Sequence, residues 1–355
     1  MRIAITADMH LRDRGEHPER YKALENIFQR VKAADIEKVI IAGDLFDKEY
    51  QNYSEFEQLC AKYGGLELLI IPGNHDPGIN GQKILGPNIK IFTEPTIEKI
   101  NGTSFLFIPY SSGVNMGGQI AQMESRLIRE EWVLVGHGDF YGGTRPPIPR
   151  DEESGTYMPL SRMNVQKFSP RKVFLGHIHK PHSPFDNVHY VGSPCGLDIS
   201  ETGQRSFVIY DTSTGEVRED QVETDVLYFN ESFQVIPRDN EVDLLAEQIQ
   251  ERIQGWQVEP SDYEKVQVRV SASGFAKDRK GIREALDQGF TGFRYFKDEG
   301  PNISELFVSS DDQRAAIADQ TMKLIEELDW RFGGDQPSIK MVKEEALKAI
   351  YAGRS

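Results

Sequence analysis

The 355-residue chain is 38% hydrophobic and 27% charged, which describes an ordinary globular protein and excludes a low-complexity chain. No apolar run approaches the roughly 20 residues of a membrane span, and two cysteines, Cys60 and Cys195, cannot build a disulfide framework, so a reducing cytoplasm is expected. The formal charge of −15 argues against unspecific nucleic-acid affinity, which rests on Lys and Arg, unless bound cations reverse the sign locally.

The N-terminus runs straight into a strand pattern, so no secretory signal is expected. Residues 2–7 read as a buried strand closing on Asp8-Met9-His10. A helix over 18–34 puts Tyr21, Leu24, Ile27, Val31 and Ala34 on one stripe. The run Lys38-Val39-Ile40-Ile41-Ala42 has no alternation, reads as a strand buried on both faces, and stops at Gly43-Asp44. A helix near 53–63 makes Cys60 a core residue, and strand 66–71 delivers Pro72-Gly73-Asn74-His75-Asp76. This order implies parallel pairing with right-handed crossovers.

Shorter strands follow at 89–92, 96–100 and 103–109, then a helix around 118–129. Trp132-Val133-Leu134-Val135 delivers Gly136-His137-Gly138-Asp139. Residues 139–165 form a long Gly- and Pro-rich segment of the kind that is usually functional. Strand 172–175 delivers Gly176-His177-Ile178-His179, and strands at 188–191 and 206–211 close this region. The expected fold class is α/β, with two mixed β-sheets sandwiched by helices, a small α+β unit and C-terminal helices. A boundary is expected near 225–235. Beyond it the pattern reads helix 241–254, strand 264–272, helix 279–288, strands 293–297 and 303–308, and helices 312–330 and 337–352 broken by Gly333-Gly334.

Five strand ends thus carry metal-binding side chains: Asp8 and His10, Asp44, Asn74 and His75, His137, and His177 and His179. Loops at the carboxyl ends of strands converge on the ligand site of an α/β sheet, and the glycines at 43, 73, 136 and 176 permit sharp reversal and close backbone approach. Two carboxylates, an amide oxygen and several imidazoles suit Mn²⁺, Fe²⁺ or Zn²⁺ better than Ca²⁺. Taken singly, a histidine at a strand end is usually a satisfied polar residue, and Gly-Asp is a common turn; it is the fivefold recurrence that points to a metal site. Asp47 and Asp76 are candidates to orient ligating imidazoles, or equally turn residues. His17, His182 and His189 have no motif spacing and read as structural or surface residues.

Asp8-Met9-His10, Gly43-Asp44-Leu45-Phe46-Asp47, Gly73-Asn74-His75-Asp76, Gly136-His137-Gly138 and Gly176-His177-Ile178-His179 resemble the ordered motifs of calcineurin-like metallophosphoesterases. Asp8-x-His10, the Gly-Asp-Leu-Phe-Asp block, Tyr190-Val191-Gly192-Ser193-Pro194 and the small C-terminal unit look like SbcD-type DNA double-strand-break repair nucleases. The motifs cover residues 1–211; Asp47-Lys48-Glu49 stands where the protein-phosphatase branch has Asp-Arg-Gly. The resemblance implies two divalent metals, most simply Mn²⁺, one on Asp8, His10, Asp44 and His179, the other on Asp44, Asn74, His137 and His177, with Asp44 bridging. It implies His75 as the group that protonates the leaving oxygen, and an exo- or endonuclease acting in DNA repair or recombination. It further implies a nuclease domain over 1–228, a capping domain over 229–310, a helical tail over 311–355 that docks on an SMC-like coiled-coil ATPase of the SbcC type, and a homodimer.

Candidate DNA contacts are Arg145, Arg150 and Arg162 in the long segment and Lys277, Arg279, Lys280 and Arg283 in the small unit, although such charge runs are more often solvated faces. The competing expectations are a small-molecule or cyclic-nucleotide phosphodiesterase with the same dimetal site, and a phosphoesterase fold used as a scaffold.

Overall fold

Apolar runs that do not alternate form strands whose two faces both pack, and that is how the larger part of this chain is built. A computed structural model describes residues 1–48, 50–127, 131–143, 157–328 and 339–351. The chain divides into two compact units, one of residues 1–197 with 204–226, the other of 198–203 with 227–355.

The first unit runs β1 (Arg2–Thr6), α1 (Pro18–Ala33), β2 (Lys38–Ala42), α2 (Ser54–Lys62), β3 (Glu67–Ile71), β4 (Ile89–Ile91), β5 (Thr96–Ile100), β6 (Thr103–Ile108), α3 (Met116–Leu127), β7 (Trp132–His137), β8 (Phe140–Tyr141), β9 (Leu160–Ser161), α4 (Arg162–Phe168), β10 (Lys172–Gly176), β11 (His182–Phe185), β12 (Val188–Tyr190), β13 (Arg205–Asp211) and β14 (Val217–Val222). Among the described residues one sheet has the order β14-β13-β1-β2-β3-β4 and the other β11-β12-β10-β7-β6-β5. Both are mixed: β1, β2, β3 and β4 pair in parallel, as do β6, β7, β10 and β12, while β13, β14, β5 and β11 pair antiparallel.

Alternate side chains of each strand enter different layers. Ile3, Ile5, Ile40, Leu69 and Ile71 meet Phe105, Phe107, Val133, Val135 and Phe174 between the two sheets. Ala4, Val39, Ile41, Leu68 and Ile70 pack instead on Leu24, Ile27, Phe28 and Val31 of α1 and on Phe56 and Cys60 of α2. Leu106, Leu134, Val173 and Leu175 lie on Met116 and Ile120 of α3 and Val165 of α4. The unit is an α/β/β/α sandwich, the architecture expected of the sequence.

The second unit contains β15 (Leu227–Val235), α5 (Glu241–Gly255), β16 (Val266–Ala276), α6 (Arg279–Gly289), β17 (Arg294–Tyr295), β18 (Leu306–Val308), α7 (Asp312–Glu327) and α8 (Ile339–Tyr351). β16 pairs in parallel with β15, β17 and β18. Met322 and Ile325 of α7 and Leu347 of α8 form one cluster with Phe275 and Tyr351, whose rings stack at 3.9 Å. Among the described residues no helix is long and apolar enough to cross a membrane.

Several elements differ from the sequence expectation. The stretch 225–235, in which a boundary is expected, contains the division between the two units at 226/227 and then the nine-residue β15, whose Leu227, Phe229, Phe233 and Val235 alternate inward. The segment 139–165 contains β8, β9 and the first turn of α4, which is opened by a capping box in which Ser161 and Asn164 bond reciprocally. β11 was not foreseen because Pro184 and its exposed neighbours disguise an edge strand, nor was the polar β14, also at an edge. The Gly333-Gly334 break lies outside the described residues.

Candidate metal centre

The parallel strands β1, β2 and β3 of one sheet and β7 and β10 of the other carry the seven ligand candidates at their C-terminal ends, His137 as the last residue of β7 and the other six in the turns that follow. The chain reaches them through unusual backbone. Asp8 (φ 54°), His10 (φ 46°), Asp44 (φ 48°) and His177 (φ 95°) all lie in the left-handed region, which side chains other than glycine rarely occupy; such strain clusters at functional sites. Hydrogen bonds hold it: Asp8 N to Gly43 O at 3.1 Å, His10 N to Asp44 O at 3.0 Å and Leu11 N to Leu45 O at 2.8 Å zip the first two strand ends together. Close approach explains the glycines. A Cβ on Gly73 would collide with the Asp44 carboxylate and amide, and one on Gly43 (φ 93°) with the His137 ring.

Asp44 is 1% exposed, and its Oδ1 accepts the His75 amide at 2.8 Å. Burial pushes its carboxyl up, but His137, His10 and the His75 amide overcome this and hold it well below the usual range. Asp8 is fully buried, accepts the His177 amide on both oxygens at 2.9 and 3.1 Å, and is raised chiefly by burial. His10 Nε2 and His179 Nε2 face each other at 3.2 Å, and His10 Nε2 lies 3.7 Å from Asp44 Oδ2.

His137 decides whether a cation fits. Its Nδ1 lies 2.9 Å from Ala42 O; a carbonyl only accepts, so Nδ1 carries the proton and neutral His137 has a bare Nε2. That Nε2 faces Asn74 Oδ1 at 2.8 Å and Asp44 Oδ2 at 3.3 Å, and Asn74 Oδ1 is also 3.1 Å from His177 Nδ1. Acceptor atoms therefore converge on one point, which suits a positive charge. Without a metal the demand falls on His137 itself: burial lowers its pKa, but Asp44, then Asp8 and the Ala42 carbonyl, carry it up to about 9. Carboxylate and imidazole atoms of Asp8, His10 and His179, and of Asp8, Asp44 and His137, lie within 4.8 Å of one another, as do those of His10, Asp44 and His75. The donor set fits divalent transition cations.

His75 stands at the rim, 34% exposed, its Nδ1 3.3 Å from Asp47 Oδ1; that bond to Asp47 raises its pKa against the opposing effect of burial. Asp47 also lies 3.8 Å from His10 Nδ1 and accepts from Arg12 Nε at 2.7 Å. Burial works against its ionisation, but His10 and His75 hold its carboxyl far below the ordinary range. Asp76 behaves differently: its oxygens take the Gly73 amide at 2.7 Å and the Phe46 amide at 3.0 Å, so it ties two strand ends together and, among the described residues, bonds no imidazole. Burial, with Asp44 nearby, pushes it up to about 7.

Sequence reading missed three contributors. Arg20, 7% exposed on α1, donates to the His10 carbonyl and lies 3.5 Å from Asp47; nothing in its spacing marks it. Asp139 reaches His177 Nε2 at 3.4 Å and accepts the Tyr157 amide at 2.7 Å; its place two residues after His137 was a usable signal. The Tyr157 ring lies 4.7 Å from that of His177. The Gly192-Ser193 turn has a physical role as well: Ser193 N and Arg205 Nη2 donate to the His179 carbonyl at 3.0 and 2.8 Å.

In the second unit the basic candidates are engaged by neighbours. Lys277 meets Asp239 at 2.8 Å and Asp312 at 2.7 Å, Arg279 donates to the carbonyls of Leu306 and Ile303, Lys280 faces Glu284 at 3.3 Å and Arg283 faces Asp287 at 3.0 Å. Arg162 lies over the Phe185 ring at 4.6 Å. Arg145 and Arg150 fall outside the described residues.

Comparison with known proteins agrees with this geometry. The model of the calcineurin-like phosphoesterase family matches residues 1–181. The SbcD component of the nuclease SbcCD from Staphylococcus saprophyticus is 25% identical over 242 residues, covering 58% of this chain and 63% of that protein, so the chain spans less than two thirds of its length. Similar solved structures include an archaeal phosphodiesterase (17% identity, 62% of this chain and 99% of that one, TM-score 0.34). A dimetal phosphatase from Danio rerio is 9% identical, over 62% and 96% of the two chains, at a TM-score of 0.38. Purple acid phosphatase PPD1 of yellow lupin is 13% identical, over 62% and 52%, also at 0.38. With half its length matched by the family model and its strand ends converging on a dimetal donor set, the chain belongs to the calcineurin-like phosphoesterases, which are metal-dependent phosphoester hydrolases.

Proposed function

We propose that this chain is a Mn²⁺-dependent DNA nuclease of the SbcD type, hydrolysing phosphodiester bonds in double-strand-break repair or recombination, in the cytoplasm and beside an SMC-like coiled-coil ATPase. The observation that carries the chemistry is the convergence of Asp44, Asn74, His137 and His177 acceptor atoms on one point. In this reading Asp8, His10, Asp44 and His179 hold one cation and Asp44, Asn74, His137 and His177 the other. Two such cations supply Lewis acidity to the phosphoryl oxygens.

The remaining steps belong to side chains. Water adds at phosphorus and gives up a proton to solvent as the bond to the leaving oxygen breaks, and His75 gives that oxygen a proton from Nε2, its Nδ1 being held by Asp47. Arg20 keeps Asp47 and the His10 carbonyl in place from α1. With two dications held there, the site would outweigh its two ligating carboxylates and favour a phosphodiester anion despite the acidic chain.

The nuclease reading draws support from the SbcCD relative in Staphylococcus saprophyticus. The ATPase-docking reading draws support from α7 and α8, where Ile317, Leu324 and Met341 stay exposed, as does Leu328 just past the end of α7, as helix-in-groove recognition requires. A chain ending near residue 310 should fail to co-purify with the ATPase; full retention would remove the docking role. The same reading makes the chain a homodimer and residues 229–310 a cap over the DNA path.

The pairing of Lys277, Arg279, Lys280 and Arg283 with neighbours favours a second reading, a small-molecule or cyclic-nucleotide phosphodiesterase using the same metals. Mn²⁺-dependent cleavage of linear duplex DNA, measured beside hydrolysis of bis-p-nitrophenyl phosphate, separates the two. Turnover of the small ester with intact DNA, even with the ATPase present, decides for the second.

A further inference from the structure

We propose that Arg12 binds the phosphate adjacent to the scissile one, on the leaving-group side, and so sets the preference of this site for a polynucleotide over a small diester. The proposal rests on the DNA reading above and names the residue that would enforce it.

The hydrogen bonds Leu11 N to Leu45 O at 2.8 Å and Asp47 N to Leu11 O at 3.0 Å fix the first two strand ends in register, which sets Arg12 against Asp47. Arg12 Nε then donates to Asp47 Oδ2 at 2.7 Å, while Asp47 Oδ1 lies 3.3 Å from His75 Nδ1. One carboxylate therefore stands between guanidinium and imidazole. Both cationic partners reach the rim, Arg12 at 44% and His75 at 34% exposure, whereas Asp47 is only 17% exposed.

The neighbouring arginines are occupied. Arg20 is buried on the His10 carbonyl and Asp47. Arg14 lies 3.6 Å from Glu25 and over the Tyr21 ring. The two Nη groups of Arg12 bond nothing among the described residues, which leaves a planar fork of the shape that accepts two phosphate oxygens. Asp47 holds that fork by Nε and so fixes its direction.

The chemistry of the substrate supplies the rest. In a polynucleotide the leaving oxygen sits on a sugar that carries the next phosphate. If His75 protonates that oxygen, a cation one carboxylate further along the rim is placed for the following phosphate. Bis-p-nitrophenyl phosphate has no second phosphate and cannot use it. A lysine would restore charge without the fork.

The test compares the full chain with Arg12→Ala and Arg12→Lys, each loaded with Mn²⁺, on a single-stranded oligonucleotide and on bis-p-nitrophenyl phosphate. A third substrate carries a neutral methylphosphonate at the phosphate following the cleavage site. For Arg12→Ala the ratio of kcat/KM on oligonucleotide to that on the small ester should fall about 10- to 100-fold, as expected for loss of a charged hydrogen-bonding partner. The salt slope of oligonucleotide cleavage should drop by about one, and Arg12→Lys should recover part of the ratio. The methylphosphonate should slow the unmodified chain and leave Arg12→Ala no slower than on the natural strand. If both substrates lose rate together, the proposal is overturned, as it is if the methylphosphonate slows both proteins equally. A chain that turns over the small ester but leaves DNA intact removes the nuclease reading, and this one with it.

Discussion

Gly176→Ala tests whether backbone packing sets the metal geometry. A Cβ at this position would lie 2.7 Å from His137 Nδ1, 2.9 Å from the Ala7 Cβ and closer still to the Ala42 carbonyl oxygen. All three belong to strand ends rather than to flexible side chains, so something must shift by close to an ångström. The displaced group is the Ala42 carbonyl that holds the His137 tautomer at 2.9 Å. Overpacking of this kind costs about 1–3 kcal/mol, which for a unit of this size lowers Tm by about 2–12 °C. His137 moves with it, and loss of an orienting partner typically weakens metal binding about 10- to 100-fold. The assay pairs thermal unfolding of the metal-free chain with calorimetric Mn²⁺ titration, with Gly65→Ala, where nothing lies within 4 Å, as control. If Gly176→Ala melts within 1 °C of the unmodified chain, a difference of about 0.3–0.5 kcal/mol on that scale, and binds both ions as tightly, the close-approach argument fails.

Asp44→Asn should weaken both metal ions together, whereas Asn74→Ala should loosen mainly one; independent loss of a single ion in Asp44→Asn, seen by metal titration, would take Asp44 out of the bridging role. His75→Ala should keep its metal content and lose about 10²–10⁴-fold in kcat on DNA, whose sugar alkoxide needs a proton to leave, and far less on bis-p-nitrophenyl phosphate, whose nitrophenolate does not; unchanged kcat on DNA would show that His75 transfers no proton. His189 bears on acid stability: burial, then the charge of Lys172, pushes its pKa down to about 4. The unfolded histidine titrates near 6.5, so between those values the unfolded chain binds the extra proton and stability falls as pH drops from 6.5 to 4. After discounting for its partial exposure the loss is about 1–2 kcal/mol. His189→Phe, which keeps a ring against Phe174 (5.6 Å), should flatten urea-unfolding free energies over that range, and an identical slope would refute the assignment.

Much of the centre was legible because each part of it is local. A run such as Val39-Ile40-Ile41-Ala42 must be buried on both faces, and Gly43-Asp44 at its end is a reversal followed by a polar group that needs a partner. The same device recurs at the ends of β3, β7 and β10, and β1 leads to Asp8 without the glycine. In the basic cluster at 277–283, Lys280 and Arg283 pair with Glu284 and Asp287 four residues on, but Lys277 and Arg279 were legible only as charge, since their partners Asp239, Asp312, Leu306 and Ile303 lie 24 to 38 residues away along the chain. The polar and Pro-containing edge strands β11 and β14 stayed hidden, because an edge strand buries little and so carries little periodic signal.

The sequence by itself determined the buried strands β1, β2, β3, β7 and β10, the parallel pairing of the first three, and which residue types stand at their ends, because burial pattern and turn chemistry act over a few neighbours. Tertiary structure alone decided the left-handed backbone at Asp8, His10, Asp44 and His177, the His137 tautomer set by Ala42 O from 95 residues away, and the support of Asp47 by Arg20 from the chain's first helix. Those features depend on strand order and on how two sheets are stacked. A chain reads that order only once the core between Ile40, Phe107 and Phe174 has closed.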